Sequence, residues 1–278
     1  GMVSGDVVVG GLVGQNKASI SNSYATGAVS GGVGNYTGGL VGLNDYIISN
    51  SYAMGAVSGS NYVGGLAGNN NYGTISNAYA TGVVSGTSKV GGLVGANNST
   101  ISNTYATGVV NGSSWVGGMV GRNFGGTVTN SYWDTDTSLQ ATSASGTGLT
   151  TPQMMSQANF AGFDFTPGTG SWFMIEGDTR PFLQMEHSTT ITNAHQLQLM
   201  AMDLTANYTL ANDIDLSELS NASGMWNTAA GFSPVGNNTT KFTGSFDGLD
   251  HTINNLVINR PGTFIVGLFG DTKGSTIS

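Results

Sequence analysis

A chain of 278 residues is long enough for one or two buried cores. Only 8% of its residues are charged, and a net charge of −8 leaves no basic surface for nucleic acid or anionic lipid. No apolar run approaches the roughly 18–20 residues of a membrane-crossing helix, so membrane insertion is not expected. The absence of cysteine removes disulfide and thiolate chemistry, and suits either a reducing cytosol or a protein exported unfolded. The 45 glycines lack the every-third spacing of collagen, and point to tight turns between short stacked strands.

Residues 1–135 repeat. Gly38-Gly39-Leu40-Val41-Gly42 recurs, with small changes, at 10–14, 64–68, 91–95 and 117–121. Behind each pentad stands an Asn-x-Tyr, at Asn22/Tyr24, Asn50/Tyr52, Asn77/Tyr79, Asn103/Tyr105 and Asn130/Tyr132. The tyrosines are 28, 27, 26 and 27 residues apart. Alternating β-branched segments between Gly, Asn and Ser stretches read as short strands and turns. A propeller blade needs about 40 or more residues, so the spacing predicts a parallel β-solenoid with one unit of about 27 residues per coil. Coils rise by about one strand spacing, ~4.8 Å, which sets equivalent residues above one another. Leu12, Leu40, Leu66, Leu93 and Met119 are then expected inside. The asparagines Asn22, Asn50, Asn77, Asn103 and Asn130 are expected to form an amide ladder at a turn. The tyrosine column either stacks inside or covers one face; both stay open. The paired glycines serve positive φ or close backbone approach.

The period breaks at Trp133-Asp134-Thr135-Asp136-Thr137. Thr151 is the expected N-cap of a short helix with Pro152 in its first turn. Phe160, Phe163, Phe165, Trp172, Phe173 and Phe182 are expected to form a small aromatic core, in an irregular insert or cap spanning 136–187. From 188 a second solenoid start is expected. A short helix over 194–202, capped by Thr192-Asn193, leads to strands over 208–216, 242–246, 251–258 and 264–269. Val266-Gly267-Leu268-Phe269-Gly270 restores the pentad, and Thr276-Ile277-Ser278 the strand behind it. Gly1-Met2-Val3-Ser4-Gly5 matches Gly27-Ala28-Val29-Ser30-Gly31, the close of a coil. These ends suggest a segment of a longer tandem array, with neighbouring copies of the same repeat as end-to-end partners.

The pentad with Ile-Ser-Asn-Ser-Tyr-Ala-Thr-Gly resembles the GLUG motif of large bacterial surface and secreted proteins. These include filamentous-haemagglutinin-like adhesins and some immunoglobulin-A-cleaving peptidases. The resemblance covers 1–135 and part of 264–278. Two further stretches look like segments that accompany such arrays: 208–216 with 242–248, and 131–134 through 150–154 to Trp172 and Arg180-Pro181. The resemblance implies an all-β, right-handed parallel β-helix on an exported, extracellular protein. It does not imply catalysis, and the His-Glu-x-x-His zinc motif of the peptidases is missing here.

Chemistry-bearing residues are few. His187, His195 and His251 have no metal-ligand spacing and read as solvated or capping side chains. Asp134/Asp136, Asp213/Asp215 and Asp247/Asp250 sit beside glycine-rich turns. The first two pairs are weak Ca²⁺ candidates, since such a site needs six to eight oxygens, while Asx residues also build turns. No other cofactor is expected. The position two before each glycine pair is Val8, Tyr36, Tyr62, Lys89 and Trp115. Its variation reads as outward-facing, and Tyr36, Tyr62 and Trp115 are candidate glycan contacts. Gly31-Gly32-Val33-Gly34 lacks the lysine and the strand–helix setting of a phosphate loop. Asn35, Asn98 and Asn207 begin Asn-x-Ser/Thr sequences.

The expected function is a non-enzymatic structural or adhesive repeat segment of a bacterial surface protein or filament, with a host or environmental glycan or protein as its ligand. The alternative is a carbohydrate-binding module using the outer aromatics. A third is a β-helix polysaccharide lyase or hydrolase, which needs convergent carboxylates.

Overall fold

The computed structural model describes residues 1–34 and 36–278, so Asn35, which begins an Asn-x-Thr sequence, lies outside the described residues. The chain divides into two compact units, 1–163 and 164–278. No helix among the described residues is long and apolar enough to cross a membrane.

The first unit is a parallel β-solenoid whose coils each pass through four sheets. One coil runs Ala28–Gly31, Tyr36–Gly38, Val41–Asn44 and Ile47–Ala53. The next runs Val57–Ser58, Asn61–Gly64, Ala67–Asn70 and Thr74–Ala80. Equivalent residues pair across coils: Val63 with Val90, Asn70 with Asn97, Ile75 with Ile101, and Tyr79 with Tyr105. A strand of two to seven residues has no stability alone, so each coil depends on the hydrogen bonds of its neighbours.

Two apolar columns fill the cross-section. Valines from the first and second sheets (Val9, Val29, Val57, Val63, Val84, Val90 and Val110) make one. The other lies between the third and fourth sheets and holds Leu40, Leu66, Leu93 and Met119 with Ile48, Ile75 and Ile101. These side chains are fully buried, but Leu12 is 50% exposed. It belongs to the first of the described coils, and of the five expected inside positions Leu12 is the one that is not buried.

Between the two columns the second and third sheets meet backbone to backbone, and this waist explains the pentad. A Cβ on Gly68 would lie 2.6 Å from both Gly42 O and Thr37 N. On Gly95 it would lie 2.6 Å from Gly68 O and Val63 N. The second glycine of each pair faces the fourth sheet, where a Cβ on Gly65 would lie 2.9 Å from the Ala80 methyl. None of the pentad glycines has positive φ. Of the two reasons open in the sequence, close approach is the one that applies.

The solenoid continues past residue 135. Thr147–Leu149 adds a parallel strand to Thr127–Asp134. The short helix Thr151–Met154 is capped by Thr150, which forms a capping box with Gln153, and not by Thr151. The Thr151 hydroxyl is instead drawn to Asp134 Oδ2 at 2.8 Å. The expected aromatic core is divided. Phe160 and Phe163 pack edge-on against Tyr132 at 5.3 and 5.8 Å in the first unit, whereas Trp172–Phe173 and Phe182–Leu183 form an antiparallel pair in the second.

The second unit is a looser parallel stack. Thr190–Ile191, Asn207–Leu210, Ser245–Asp247 and Thr276–Ile277 form one sheet, and Ile214–Asp215 pairs with Ile253–Asn254. Asn193 caps the helix Ala194–Leu199 by accepting from Gln196 N at 3.0 Å. No strand forms over 264–269; the segment adds a single bridge, Phe269 to Val235.

The glycine waist gives a direct test. Gly68→Ala forces a methyl group onto two backbone atoms that no rotamer change can move. The expected destabilisation is at least about 1–3 kcal/mol, seen as an earlier urea unfolding transition. An unchanged transition would refute the close-approach explanation.

Candidate functional site: side-chain ladders along the coils

The amide ladder lies on a different asparagine column from the one expected. Asn16 Nδ2 donates to Asn44 Oδ1 at 2.8 Å, Asn44 to Asn70 at 2.9 Å, Asn70 to Asn97 at 2.9 Å, and Asn97 to Asn123 at 3.2 Å. Second amide hydrogens go to backbone carbonyls, such as Asn44 to Tyr46 O at 3.0 Å and Asn97 to Ser99 O at 3.0 Å. Asn123 ends the series by donating to Ser145 Oγ at 3.0 Å. A buried amide is tolerated only when its donors and acceptor are satisfied, and stacking identical amides achieves this with one residue per coil.

Asn22, Asn50, Asn77, Asn103 and Asn130 do something else. Their φ values are 49, 46, 46, 52 and 46°, the left-handed region that asparagine tolerates best after glycine. Each interrupts the fourth-sheet strand, and its partners drop out of the ladder register between Ser76–Ser102 and Ala78–Thr104. The extra residue shifts the alternation by one. Ile75 and Ala78 both reach the core, while Tyr79 turns to the opposite face from Ala78 and Ala80. On this column Asn130 Nδ2 also donates to Asn103 Oδ1 at 3.2 Å.

The tyrosine rings stack face to face away from the Leu/Ile column. Centroid distances are 5.0 Å for Tyr24–Tyr52, 4.8 Å for Tyr52–Tyr79 and 5.1 Å for Tyr79–Tyr105, with ring planes within 6°. Tyr132, in register with Tyr105, meets Phe160 edge-on, and its hydroxyl donates to Ala161 O at 3.2 Å. Burial raises the Tyr132 pKa above the ordinary tyrosine value.

The outer column carries aromatics interleaved with cations. Tyr36 and Tyr62 lie 5.0 Å apart, and Lys89 Nζ sits 4.4 Å from the centre of the Tyr62 ring. The Arg122 guanidinium lies 4.2 Å from the Trp115 ring and 4.4 Å from Phe124. Tyr62, Lys89 and Trp115 have φ of 51, 54 and 54°. For bulky residues this conformation is strained, and strain of this kind collects at functional positions. The bulge aims these side chains away from the valine column. Sequence alone flagged Tyr36, Tyr62 and Trp115 and placed Lys89 in the same column; Arg122 became legible only with the coil in place.

The aspartate pairs are engaged in turns. Asp134 Oδ1 accepts from Asp136 N at 3.0 Å and Thr137 N at 3.2 Å, and Asp136 Oδ2 accepts from Thr151 N at 2.8 Å. Asp215 accepts from Asn255 Nδ2 at 2.8 Å and Ser217 N at 2.9 Å, bonds that lower its pKa. Asp213 accepts from Thr252 N at 2.9 Å, which likewise lowers its pKa. Among the described residues no group of three or more His, Asp or Glu side chains is arranged so that it could hold a metal ion.

His195, read from sequence as solvated or capping, is instead buried in the second unit. Its Nδ1 lies 2.6 Å from Glu186 Oε2 and its Nε2 3.4 Å from Glu218 Oε1. The rings of Phe182 and Trp226 stand edge-on to it at 5.1 and 5.5 Å. Burial alone would lower the imidazole pKa, but the two carboxylates outweigh it and hold the value up at about 10. Glutamates nine residues before and 23 after the histidine match no sequence pattern, so only the fold reveals the cluster.

That cluster makes stability pH-dependent. With the folded pKa above the ordinary 6.5, the stabilisation is whole below pH 6.5 and is lost as pH rises towards about 10. Urea transitions followed by tryptophan fluorescence are expected to weaken across that window. In His195→Asn the transition is lowered at neutral pH by about 3–5 kcal/mol, the cost of breaking a buried pair, and the alkaline dependence is flattened. A wild-type transition that is level from pH 6.5 to 10 would contradict the assignment.

The model of the GLUG motif family matches residues 5–30 and 59–85. Halomucin from Haloquadratum walsbyi is 52% identical over 71 residues, which are 25% of this chain and 1% of halomucin. The chain therefore spans about one hundredth of that relative's length. A crystal structure of a provisionally assigned immunoglobulin A1 protease from Bacteroides ovatus aligns with a TM-score of 0.48 at 23% identity, over 66% of this chain and 67% of that one. The matched stretches fall on the coils, and the in-register ladders carry the same pattern through the coils between and after them. The chain carries the GLUG motif at residues 5–30 and 59–85, where that motif forms the glycine waist and bulged tyrosine strand of a β-solenoid coil.

Proposed function

We propose that this chain is a structural repeat segment of a large exported surface protein, without enzymatic activity of its own. The observation that carries this reading is the investment of the sequence in coil-to-coil contacts. The pentad, the Asn16–Asn123 amide column and the tyrosine stack all serve the next coil. The local identity to halomucin, whose length is far greater, supports a repeat within a long chain. A rod of this kind holds its loops at a distance from whatever anchors it. Antibody against this segment is expected to label intact, unpermeabilised cells that carry the full-length protein. Labelling only after permeabilisation would overturn the surface assignment.

A second reading adds adhesion to glycans through the outer column. Tyr62, Lys89 and Trp115 hold strained backbone on successive coils, and Lys89 and Arg122 place cations over the rings. Aromatic faces stack on the apolar faces of pyranose rings, and neighbouring cations favour sugars bearing carboxylate or sulfate groups. On a glycan array, acidic saccharides are expected to bind, and Trp115→Ala to lose about 1–3 kcal/mol, the range of one aromatic stacking contact. An array with no acidic saccharide bound would remove this reading and leave the structural one intact.

A further inference from the structure

Only seven residues are lysine or arginine, against fifteen carboxylates. Lys241 pairs with Asp271 and Arg260 with Asp178. Lys89 and Arg122 make no hydrogen bond or ion pair among the described residues. Rings hold them instead: Tyr62 for Lys89, and Trp115 with Phe124 for Arg122.

The coils fix where these charges stand. Tyr62, Lys89 and Trp115 occupy one position on three successive coils, just before the paired Val63, Val90 and Val116. Asn69, Ala96 and Arg122 pair in the neighbouring sheet of the same coils. Lys89 reaches back to the ring of the coil before it, whereas Arg122 stays against the ring of its own coil. The two charged heads therefore sit on rings two coils apart, roughly 10 Å at one strand spacing per coil. The coil between them contributes Ala96, which has no polar side chain. Asp45, on the coil before Tyr62, is already occupied, accepting from Gln15 Nε2 at 2.8 Å and Asn71 Nδ2 at 3.0 Å.

A guanidinium held on aromatic rings keeps its N–H edge for other partners. Its donors lie in one plane, and their fork matches the two oxygens of a carboxylate. A head already fixed by a ring also loses less freedom when a ligand arrives. Trp115 remains 55% exposed, so it retains apolar area for a sugar ring.

Resting on the glycan reading above, we propose that this face binds an acidic polysaccharide along the solenoid axis, with a carboxylate on every second sugar. A pyranose with its glycosidic oxygen is about as long as one coil is high, so alternate sugars of such a chain meet Arg122 and Lys89. Arg122 takes one uronate through both carboxylate oxygens. Lys89 pairs with the next uronate, and the neutral sugar between them covers the coil of Ala96. A chain with a carboxylate on every sugar places one of them over that coil, where no cation answers it. Arg122 is the residue that sets specificity, because its fork distinguishes a planar carboxylate from a lone charge.

Isothermal titration of the 278-residue chain at low salt tests this with hexasaccharides of hyaluronan, carboxyl-reduced hyaluronan and polygalacturonate. Hyaluronan, with a carboxylate on alternate sugars, is expected to bind most tightly. Its carboxyl-reduced form is expected to bind about tenfold or more weakly, the worth of one charge-assisted hydrogen bond. Polygalacturonate is expected to fall between the two. Arg122→Gln is expected to weaken hyaluronan binding about ten- to hundredfold, and Arg122→Lys to recover only part of it. Lys89→Gln is expected to weaken it about tenfold and to abolish the preference over polygalacturonate. Circular dichroism checks that each variant is folded, and Arg122→Lys, which keeps the charge, repeats the test should Arg122→Gln misfold. Polygalacturonate binding as tightly as hyaluronan, or full recovery in Arg122→Lys, would overturn the proposal and leave the acidic-glycan reading standing. No binding of either acidic chain would remove both.

Discussion

The structure depends on the parallel hydrogen-bond ladder between coils, and the ladder depends on the glycine waist. Side chains hold packed sheets about 10 Å apart. With glycine at Gly42, Gly68 and Gly95, the second and third sheets come together with no side chain between them. Each coil thereby folds into two narrow apolar columns instead of one wide core that its 27 or so residues cannot fill. Valine suits the column between the first two sheets, and Leu with Ile the other.

Given that cross-section, every remaining choice is made once and copied. One asparagine per coil closes an amide chain whose donors are all accounted for. A second takes positive φ and resets the strand so that Ala78 and Ala80 face inward while Tyr79 faces away. Two residues of the same type, six or seven apart, thus have unrelated duties. The distinction is conformational, since Asn70 is an extended strand end and Asn77 a left-handed bulge.

Repetition also concentrates chemistry at the places where it stops. Ser143 and Ser145 finish the first array by imitating the backbone carbonyl and the amide oxygen of a missing coil. In the second unit, where the repeat is degenerate, larger aromatics and a buried His195–Glu186–Glu218 cluster replace the ladders. An ion cluster needs specific partners from distant positions, whereas a ladder needs only its own copy.

The sequence by itself determined the period, the parallel solenoid, the buried Leu40, Leu66 and Leu93, and the helix cap at Asn193, because each follows from local spacing or local chemistry. It could not say which asparagine column bonds to itself, since both recur with the same period and only backbone φ separates them. The exposure of Leu12, the splitting of Phe160 and Phe163 from Trp172 and Phe182, and the shift of the cap to Thr150 depend on what lies across space. So does His195, whose two glutamates come from elsewhere in the chain. Tertiary structure also decided the meaning of the pentad. Its glycines are present because another backbone occupies the place of their side chains.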